Sequence, residues 1–225
     1  MVGNADSKLP LVTALADRNA LAEHVDRELS KPWPVFRGGY PHEVEAALID
    51  AVLSIRNIYG TSPTTGVRGA VRRWREERQV GAGGLDDLSQ LAEADALSLA
   101  EVLDNRQVLR GGLLKAEGIV VAATRLAAAG VTSAAHVDPK ETEHRNAYVG
   151  VKGLGPVTWT YLLMLLGHSG VKADTWVIRF VEDGLGRPST AKEAEALVTA
   201  VAAELDVEAT TLDHAIWRHM SRRRR

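Results

Sequence analysis

An aspartate at the start of an apolar helix is the residue with the clearest chemical potential in this sequence. Asp174 and Thr175 stand shortly before the apolar residues Val177 and Ile178. A fixed carboxylate in a water-poor site can stabilise positive charge that develops during a reaction. An aspartate in this position is also a favourable helix N-cap, because its side chain accepts hydrogen bonds from the first free amides. Taken alone, Asp174 fits both roles.

A glycine-rich turn lies upstream of this aspartate. Residues 151–159 are Val-Lys-Gly-Leu-Gly-Pro-Val-Thr-Trp, and Gly153 and Gly155 permit a turn too tight for side chains. A helix is predicted to start directly after the turn, so its first amides point toward a potential anion. A DNA phosphate is one such anion, and amides would hold it without distinguishing base sequence. Gly-x-Gly turns between helices are common, so the turn alone does not decide the function.

The turn and the aspartate together resemble the helix-hairpin-helix, Gly/Pro-loop, Asp (HhH-GPD) superfamily of base-excision DNA glycosylases. The hairpin of that family is Leu-Pro-Gly-Val-Gly-x-Lys-Thr-Ala, which residues 151–159 match. Its loop ends in Val-Asp-Thr-His-Val-x-Arg-Val, and residues 173–180 are Ala-Asp-Thr-Trp-Val-Ile-Arg-Phe. Weaker matches lie at 45–54 and at 112–120, where Lys-Ala-x-x-Ile occurs. The resemblance covers about residues 43–182.

This resemblance implies specific roles. Asp174 would be the catalytic carboxylate that stabilises an oxocarbenium-like sugar and orients or activates the attacking water. Main-chain carbonyls of Val149, Val151 and Leu154 would match the family's site for a structural monovalent cation, and no other cofactor is expected. Duplex DNA would be the partner, held by amides around Gly153, Gly155 and Val157. The expected DNA-binding residues are Lys152, Gly153, Leu154, Gly155, Val157, Thr158 and Arg56.

The sequence departs from the family at several positions. Val157 occupies the place of the lysine with which bifunctional members form a Schiff base, so lyase activity is not expected. Trp176 replaces the histidine that follows Asp-Thr. Arg56 stands where endonuclease III has the glutamine that fills the vacated duplex space, and it would act as a wedge or pair with phosphate. These departures leave the identity of the base open.

Aromatic and polar residues supply candidates for a base pocket. Stacking on aromatic rings offsets the cost of removing a base from the duplex, at about 1–3 kcal/mol per base. The alternative for the tryptophans is core packing, and for the polar stripe on the predicted helix 43–59 it is a solvated face. The candidates are Trp33, Asp50, Ser54, Trp159 and Trp176.

Composition excludes several classes of protein. The 225 residues include no cysteine, which rules out disulfides, thiolate metal sites and iron–sulfur clusters. The net charge of −2 means that DNA binding requires a local basic patch. The arginines at 68–78 and the tail 222–225 would supply phosphate contacts, although an ion-paired surface is the alternative for the former. With neither a signal peptide nor a long apolar run, a cytoplasmic monomer is expected.

The elements that must position these residues are helical. Alanine, leucine, glutamate and arginine dominate, and apolar spacings of three and four recur. The predicted fold is all-α and two-lobed, of the HhH-GPD glycosylase type. Residues 46–165 form one domain that ends in the hairpin 148–166, and residues 1–45 with 166–225 form the other, which carries Asp174.

The sequence therefore predicts a monofunctional DNA glycosylase. It would hydrolyse the N-glycosidic bond of a damaged or modified base flipped out of duplex DNA, leaving an abasic site. The alternative is a non-catalytic DNA-binding protein that keeps the hairpin and uses Asp174 only as a helix cap.

Overall fold

The protein folds as a set of helices. A computed structural model describes residues 9–36, 38–56, 62 and 64–222. Within these ranges the chain forms eleven α-helices and one 3-10 turn, without a β-strand, so the predicted all-α class is confirmed. The helices are α1 (Leu9–Glu28), α2 (Val44–Leu53), α3 (Gly66–Glu77), α4 (Leu88–Ala92), α5 (Ala96–Val102), α6 (Lys115–Ala128), α7 (Thr142–Val149), α8 (Pro156–Leu165), α9 (Thr175–Leu185), α10 (Ala191–Glu204) and α11 (Ala209–Arg222).

The helix α2 is shorter than the sequence pattern predicts. The prediction of a helix over 43–59 is wrong at its C-terminal end, because α2 ends at Leu53. A turn follows in which Arg56 has a φ of +52°. A left-handed residue cannot continue a right-handed helix, so the chain leaves the helix there. Residues 57–59 of the predicted helix lie outside the described residues, as do residues 223–225 of the basic tail.

The first compact unit, called unit 1 below, combines the described residues of Met1–Phe36 and Ser169–Arg225. Helix α1 packs on α9 and α10, and α11 packs on both α9 and α10. Apolar positions spaced three and four apart on each helix form its core. Fully buried members include Leu21, Val25, Phe180, Val181, Val198, Leu212 and Ile216.

The second compact unit, unit 2, comprises Arg37–His168 and contains α2 to α8. Helix α2 lies at its centre, because all ten of its residues are buried and it packs against α3, α4, α6 and α8. The alternative that the polar stripe of this helix is a solvated face is therefore wrong. Asp50 and Glu45 are both 0% exposed and must be satisfied by partners inside the protein.

Arginines of α3 and of its C-cap make internal contacts of this kind in unit 2. Arg78 Nε lies 3.2 Å from Glu45 Oε2, Arg75 Nη2 donates to Glu43 Oε2 at 2.8 Å, and Arg73 Nε donates to the Val102 carbonyl at 2.9 Å. Burial raises the pKa of Glu45, although Trp74 Nε1 donates to its carboxylate at 2.8 Å. These three arginines hold unit 2 together, which corrects their predicted phosphate-contact role. The ion pairing given as the alternative is present for Arg75 and Arg78, but their partners are buried glutamates and not groups of a solvated surface.

Candidate functional site

The helix-hairpin-helix element consists of α7, a glycine turn and α8. Gly153 has a φ of +96°, and a Cβ there would lie 2.7 Å from the Leu109 Cβ and 3.0 Å from the Arg110 carbonyl oxygen. Only glycine accepts both the left-handed backbone and this close approach. The turn is therefore packed directly on the segment around Leu109, and Pro156 starts α8 immediately after it.

An open cavity of about 800 Å³ lies at this turn in unit 2. Its described lining includes three cationic side chains, Arg56, Arg110 and Lys152, and no acidic one. The structure thus brings Arg56 together with the hairpin residues predicted to bind DNA. The remaining lining residues are Gly111, Gly153, Leu154, Gly155, Pro156, Val157 and Thr158.

Arg110 was missed by the sequence argument. It precedes Gly111 and Gly112, whose φ values are +123° and +93°. A Cβ on Gly111 would lie 2.7 Å from Lys152 Cε, so the double-glycine turn passes against the hairpin. The sequence did contain a sign of this site, because a Gly-Gly pair directly after an arginine indicates a tight turn with a cationic side chain beside it.

The amides of the turn are not all available to an anion. The Gly155 amide donates to Thr158 Oγ1 at 3.1 Å, and that hydroxyl donates back to the Gly155 carbonyl at 2.9 Å. The predicted phosphate-binding role of the Gly155 amide is therefore corrected, because its hydrogen bond is made within the turn. The amides of Gly153 and Val157 have no hydrogen-bond acceptor among the described residues.

Of the three carbonyl groups proposed to bind a cation, one accepts a hydrogen bond within the turn and two do not. The Val151 carbonyl accepts from the Leu154 amide at 3.0 Å. The carbonyls of Val149 and Leu154 accept no hydrogen bond from any described residue. Two uncommitted oxygens therefore flank the turn.

Lys115 fixes the segments that carry Arg56 and Arg110. Its side chain is only 2% exposed, and Nζ donates to the carbonyls of Leu53 and Ile55 at 2.9 and 2.6 Å. A third bond reaches Gln107 Oε1 at 2.7 Å. Burial lowers the pKa of Lys115 to about 8. The sequence match at Lys-Ala-x-x-Ile located this lysine without revealing its role.

Asp174 lies in unit 1 as the N-cap of α9. Its Oδ1 accepts from the Trp176 amide at 2.8 Å and from the Val177 amide at 3.4 Å. Among the described residues no donor reaches Oδ2. The carboxylate is half-buried. One oxygen thus orients the group on the helix while the other is left uncommitted.

Two side chains of α11 hold the loop that leads to Asp174. Thr210 Oγ1 accepts from the Gly170 amide at 2.8 Å and donates to the Gly170 carbonyl at 3.2 Å. Asp213 Oδ1 accepts from the Lys172 amide at 2.9 Å. Burial and the nearby charge of Asp174 raise the pKa of Asp213 to about 8. Both residues were missed. Their positions next to buried apolar residues of α11 could have indicated that they are buried and bind polar groups inside the protein.

Asp50 is the centre of a hydroxyl cluster in unit 2. Its carboxylate accepts from Ser54 Oγ at 2.9 Å, from the Tyr161 hydroxyl at 3.1 Å and from the Tyr40 hydroxyl at 3.3 Å. The two tyrosines were missed, because Tyr161 lies 111 positions from Asp50 and Tyr40 lies outside the helix that carries it. Ser54 and Asp50 are thus brought together as predicted, but in a buried network.

Residues 19–221 match the family model described as a domain of unknown function, DUF8548. The chain belongs to the DUF8548 family. The fold of this DUF8548 protein is similar to that of MBOgg1, which was solved in complex with a low-affinity DNA ligand, with a TM-score of 0.57. The similarity covers 95% of this chain and 70% of MBOgg1, at 14% sequence identity. No curated protein is detectably similar to the chain in sequence.

The predicted pocket residues of this DUF8548 protein are divided between the units. Trp33 and Trp176 belong to unit 1, and Asp50, Ser54 and Trp159 to unit 2. Trp159 is only 4% exposed and packs against Tyr148 with ring centroids 5.6 Å apart. It is a core residue of unit 2, so its prediction as a stacking surface is wrong.

The DUF8548 chain thus has two chemically distinct sites. Unit 2 offers a cationic cavity over a glycine turn, which suits a bound anion. Unit 1 offers a positioned carboxylate with one uncommitted oxygen, which suits a developing positive charge or a proton. Across the described ranges, acidic and histidine side chains form no group of three that could hold a metal ion. In the same part of the chain, no helix has the length and apolar character to span a membrane.

Proposed function

We propose that this protein is a monofunctional DNA glycosylase. It hydrolyses the N-glycosidic bond of a damaged or modified base that has been flipped out of duplex DNA, and it leaves an abasic site. The proposal extends the resemblance over 148–180, and the likeness in fold to MBOgg1 bound to DNA supports it.

The observation that carries the proposal is the state of the Asp174 carboxylate. An aspartate that serves only as a cap needs no support beyond its own helix. Here the preceding loop is held at Gly170 and Lys172 by Thr210 and Asp213 of another helix. This anchoring keeps Oδ2 in a defined position, and no described residue donates to it.

The chemistry needs only this carboxylate and water. As the N-glycosidic bond breaks, its electron pair leaves with the base, which takes up a proton from water. Positive charge develops on the sugar, and the fixed carboxylate of Asp174 stabilises it more strongly than mobile water does. A water molecule then adds to the sugar carbon, and Asp174 accepts its proton. Because Val157 has no amine, no imine to the sugar forms, and strand cleavage is not expected.

The hairpin cavity of unit 2 binds the DNA backbone in this proposal. Arg56, Arg110 and Lys152 neutralise phosphate charge, and the amides of Gly153 and Val157 donate to phosphate oxygens. In the proposal the exposed Arg56 either enters the space that the base vacates or pairs with phosphate. Binding of this kind weakens as the salt concentration rises.

A structural monovalent cation is part of the proposal at the hairpin. The uncommitted carbonyls of Val149 and Leu154 fit such an ion, because hard cations prefer oxygen ligands. Val151 would share its carbonyl between the ion and the Leu154 amide. When bound, the cation adds positive charge near the phosphate. The reaction at the sugar uses Asp174 and requires no cofactor.

The test compares base release by the D174N variant and by the wild type on duplexes that carry a modified base. Asparagine caps a helix as well as aspartate does, so D174N should fold and bind DNA with nearly unchanged affinity. Base release should fall by at least about 100-fold, since the charge that stabilises the sugar is lost. The substrates are duplexes that each carry one alkylated, oxidised, deaminated or hypermodified base, and free base is measured.

The matched control is D95N. Asp95 caps α5 through the Ser98 amide at 2.8 Å and is an exposed residue of unit 2. D95N therefore removes one carboxylate from a helix N-cap, as D174N does. D95N should release base at the wild-type rate. Equal rates for wild type, D95N and D174N would refute the catalytic role of Asp174.

The second candidate function is DNA binding without catalysis. It is favoured by the 2.8 Å hydrogen bond from the Trp176 amide, which shows that Asp174 does cap α9. Duplex binding that depends on Lys152 and Arg110, together with no base release from any modified duplex, would establish this function instead.

A further inference from the structure

A second cavity lies in unit 1 and involves neither the hairpin nor Asp174. Its volume is about 360 Å³, and it lies between the C-terminal end of α1, the segment that follows it and the last turns of α11. Trp33, Arg218 and Arg222 contribute to its wall, with Pro32 and Pro34 beside the tryptophan. A volume of this size is in the range of cavities that hold small ligands.

The tryptophan in this wall is held in place but is not buried. Trp33 Nε1 donates to the Leu29 carbonyl at 3.4 Å, which fixes the plane of the indole. The side chain is half-buried at the edge of the unit 1 core. Lys31 Nζ lies 5.5 Å from the ring centroid, so the ring already accepts a cation near one face. Such a fixed, partly exposed ring is suited to stacking with a planar group.

The two arginines of the wall have no partner among the residues that the structure describes. Arg218 and Arg222 lie one helical turn apart on α11, and neither guanidinium makes a hydrogen bond or ion pair with a described residue. This differs from Arg75 and Arg78, whose guanidinium groups bind buried or half-buried glutamates. Guanidinium groups favour phosphate, which they bind through paired donors.

One acidic residue also lines the cavity, and its charge is already balanced. Glu28 Oε1 lies 3.3 Å from Arg27 Nε, and Glu28 Oε2 lies 3.9 Å from His219 Nε2. Since Arg218 and Arg222 pair with no described residue, the net charge of the wall is positive. The wall therefore combines a stacking surface with positive charge.

We propose that this cavity binds a nucleotide, with the base stacked on Trp33 and the phosphate held by Arg218 and Arg222. The ligand is either a free nucleotide or a nucleotide of a single strand, since both present a base with an attached phosphate. This site goes beyond the proposed glycosylase function, because it requires no base release and no residue of the hairpin.

The experiment titrates the full-length protein with thymidine monophosphate and, separately, with a fluorescent single-stranded oligothymidylate. W33A should weaken the binding of both ligands about tenfold, since a stacking contact is lost, whereas W33F keeps most of the affinity. The oligonucleotide arm uses an R110Q/K152Q background, so that the hairpin cavity contributes little. R218Q/R222Q should weaken binding and reduce the slope of log affinity against log salt by about 0.7 for each arginine.

The control variant R72Q/R106Q loses the same charge from exposed arginines that pair with Glu76 and Glu101. It should bind as the wild type does, and the arginine variants should retain the wild-type melting temperature within experimental error, because the exchanged side chains lie outside the core. W33A loses packing and one hydrogen bond, so W33F is the variant that controls for stability. Monophosphate binding that is sensitive to W33A identifies a free-nucleotide site, and sensitivity seen only with the oligonucleotide identifies a strand site. No binding of either ligand, or equal losses in R218Q/R222Q and R72Q/R106Q, would overturn the proposal.

Discussion

Asp213 accepts a hydrogen bond at 2.9 Å from the main-chain amide of Lys172, a residue 41 positions away in the sequence. The bond ties α11 to the loop that ends at Asp174. Asp213 is only 6% exposed, so its carboxyl group gains little from water. The position of the loop before Asp174 therefore depends on Asp213, a buried acid that can be protonated or ionised.

The first prediction concerns the pH dependence of stability. The pKa of Asp213 is raised to about 8 in the folded protein, by burial first and by Asp174 second, from 3.8 in the unfolded chain. Between these values the folded state holds a proton that the unfolded state has released. The contribution of Asp213 to stability is therefore present at low pH and is lost as the pH rises from about 4 to about 8.

The variant that isolates this effect is D213N. Asparagine keeps an oxygen that accepts from the Lys172 amide but does not titrate. The free energy of unfolding, measured in urea at several pH values, should fall less steeply between pH 4 and 8 for D213N than for the wild type. Parallel curves for the two proteins would contradict the buried, protonated state of Asp213.

The second prediction concerns Thr210, which is 4% exposed and binds both the amide and the carbonyl of Gly170. T210V keeps the shape of the side chain and removes both bonds. It should lower the free energy of unfolding by about 1–3 kcal/mol, because the Gly170 amide loses its partner. It should also slow base release while leaving duplex affinity unchanged, since the hairpin is untouched.

Its control is T199V. The Thr199 hydroxyl donates to the Glu195 carbonyl at 2.8 Å on the exposed face of α10. Water replaces that donor, so stability and base release should change little. A similar loss of activity in both variants would show that the anchoring of Gly170 has no special role.

The third prediction compares two left-handed glycines. G153A places a Cβ 2.7 Å from Leu109 Cβ, whereas G130A, at a φ of +88°, meets no atom within 4 Å. Both variants pay about 1 kcal/mol for backbone strain. G153A should lose about 1–3 kcal/mol more, because the turn must move away from its neighbours. Chemical denaturation measures the difference.

The same pair tests the hairpin as a DNA-binding element. Displacement of the turn by G153A changes the cavity at Lys152 and Arg110, so duplex affinity should fall in this variant. G130A should bind duplex as the wild type does. If the affinity of G153A equals that of G130A, the turn does not contact the backbone.

The fourth prediction concerns Lys115. K115M has a similar length but no donors, so the carbonyls of Leu53 and Ile55 lose the ammonium group that binds them, and Gln107 Oε1 loses one hydrogen bond. The free energy of unfolding should fall by about 3 kcal/mol. Duplex affinity should also fall, because the turn that carries Arg56 is no longer fixed. K192M, which removes an exposed lysine of α10, is the control, and an equally small effect in both would exclude this role.

Local sequence patterns predicted most helices and the hairpin. Apolar spacings of three and four reflect burial on one helix face, and a Gly-x-Gly turn before proline reflects backbone geometry within a few residues. The N-cap position of Asp174 was predictable for the same reason, since its amide partners are Trp176 and Val177. Each of these features depends on residues that are neighbours along the chain.

Only the tertiary structure decided which distant groups support the candidate sites. Asp50 and Tyr161 are 111 residues apart, yet their side chains are 3.1 Å apart. The bonds of Lys115 to Leu53, at the end of α2, and to Ile55, just after it, reach back 62 and 60 residues. Such bonds leave no periodic trace, because either partner alone is an ordinary polar residue. Trp159 is buried and Trp33 is half-buried, and this difference in exposure likewise depends on which neighbours the fold brings to each ring.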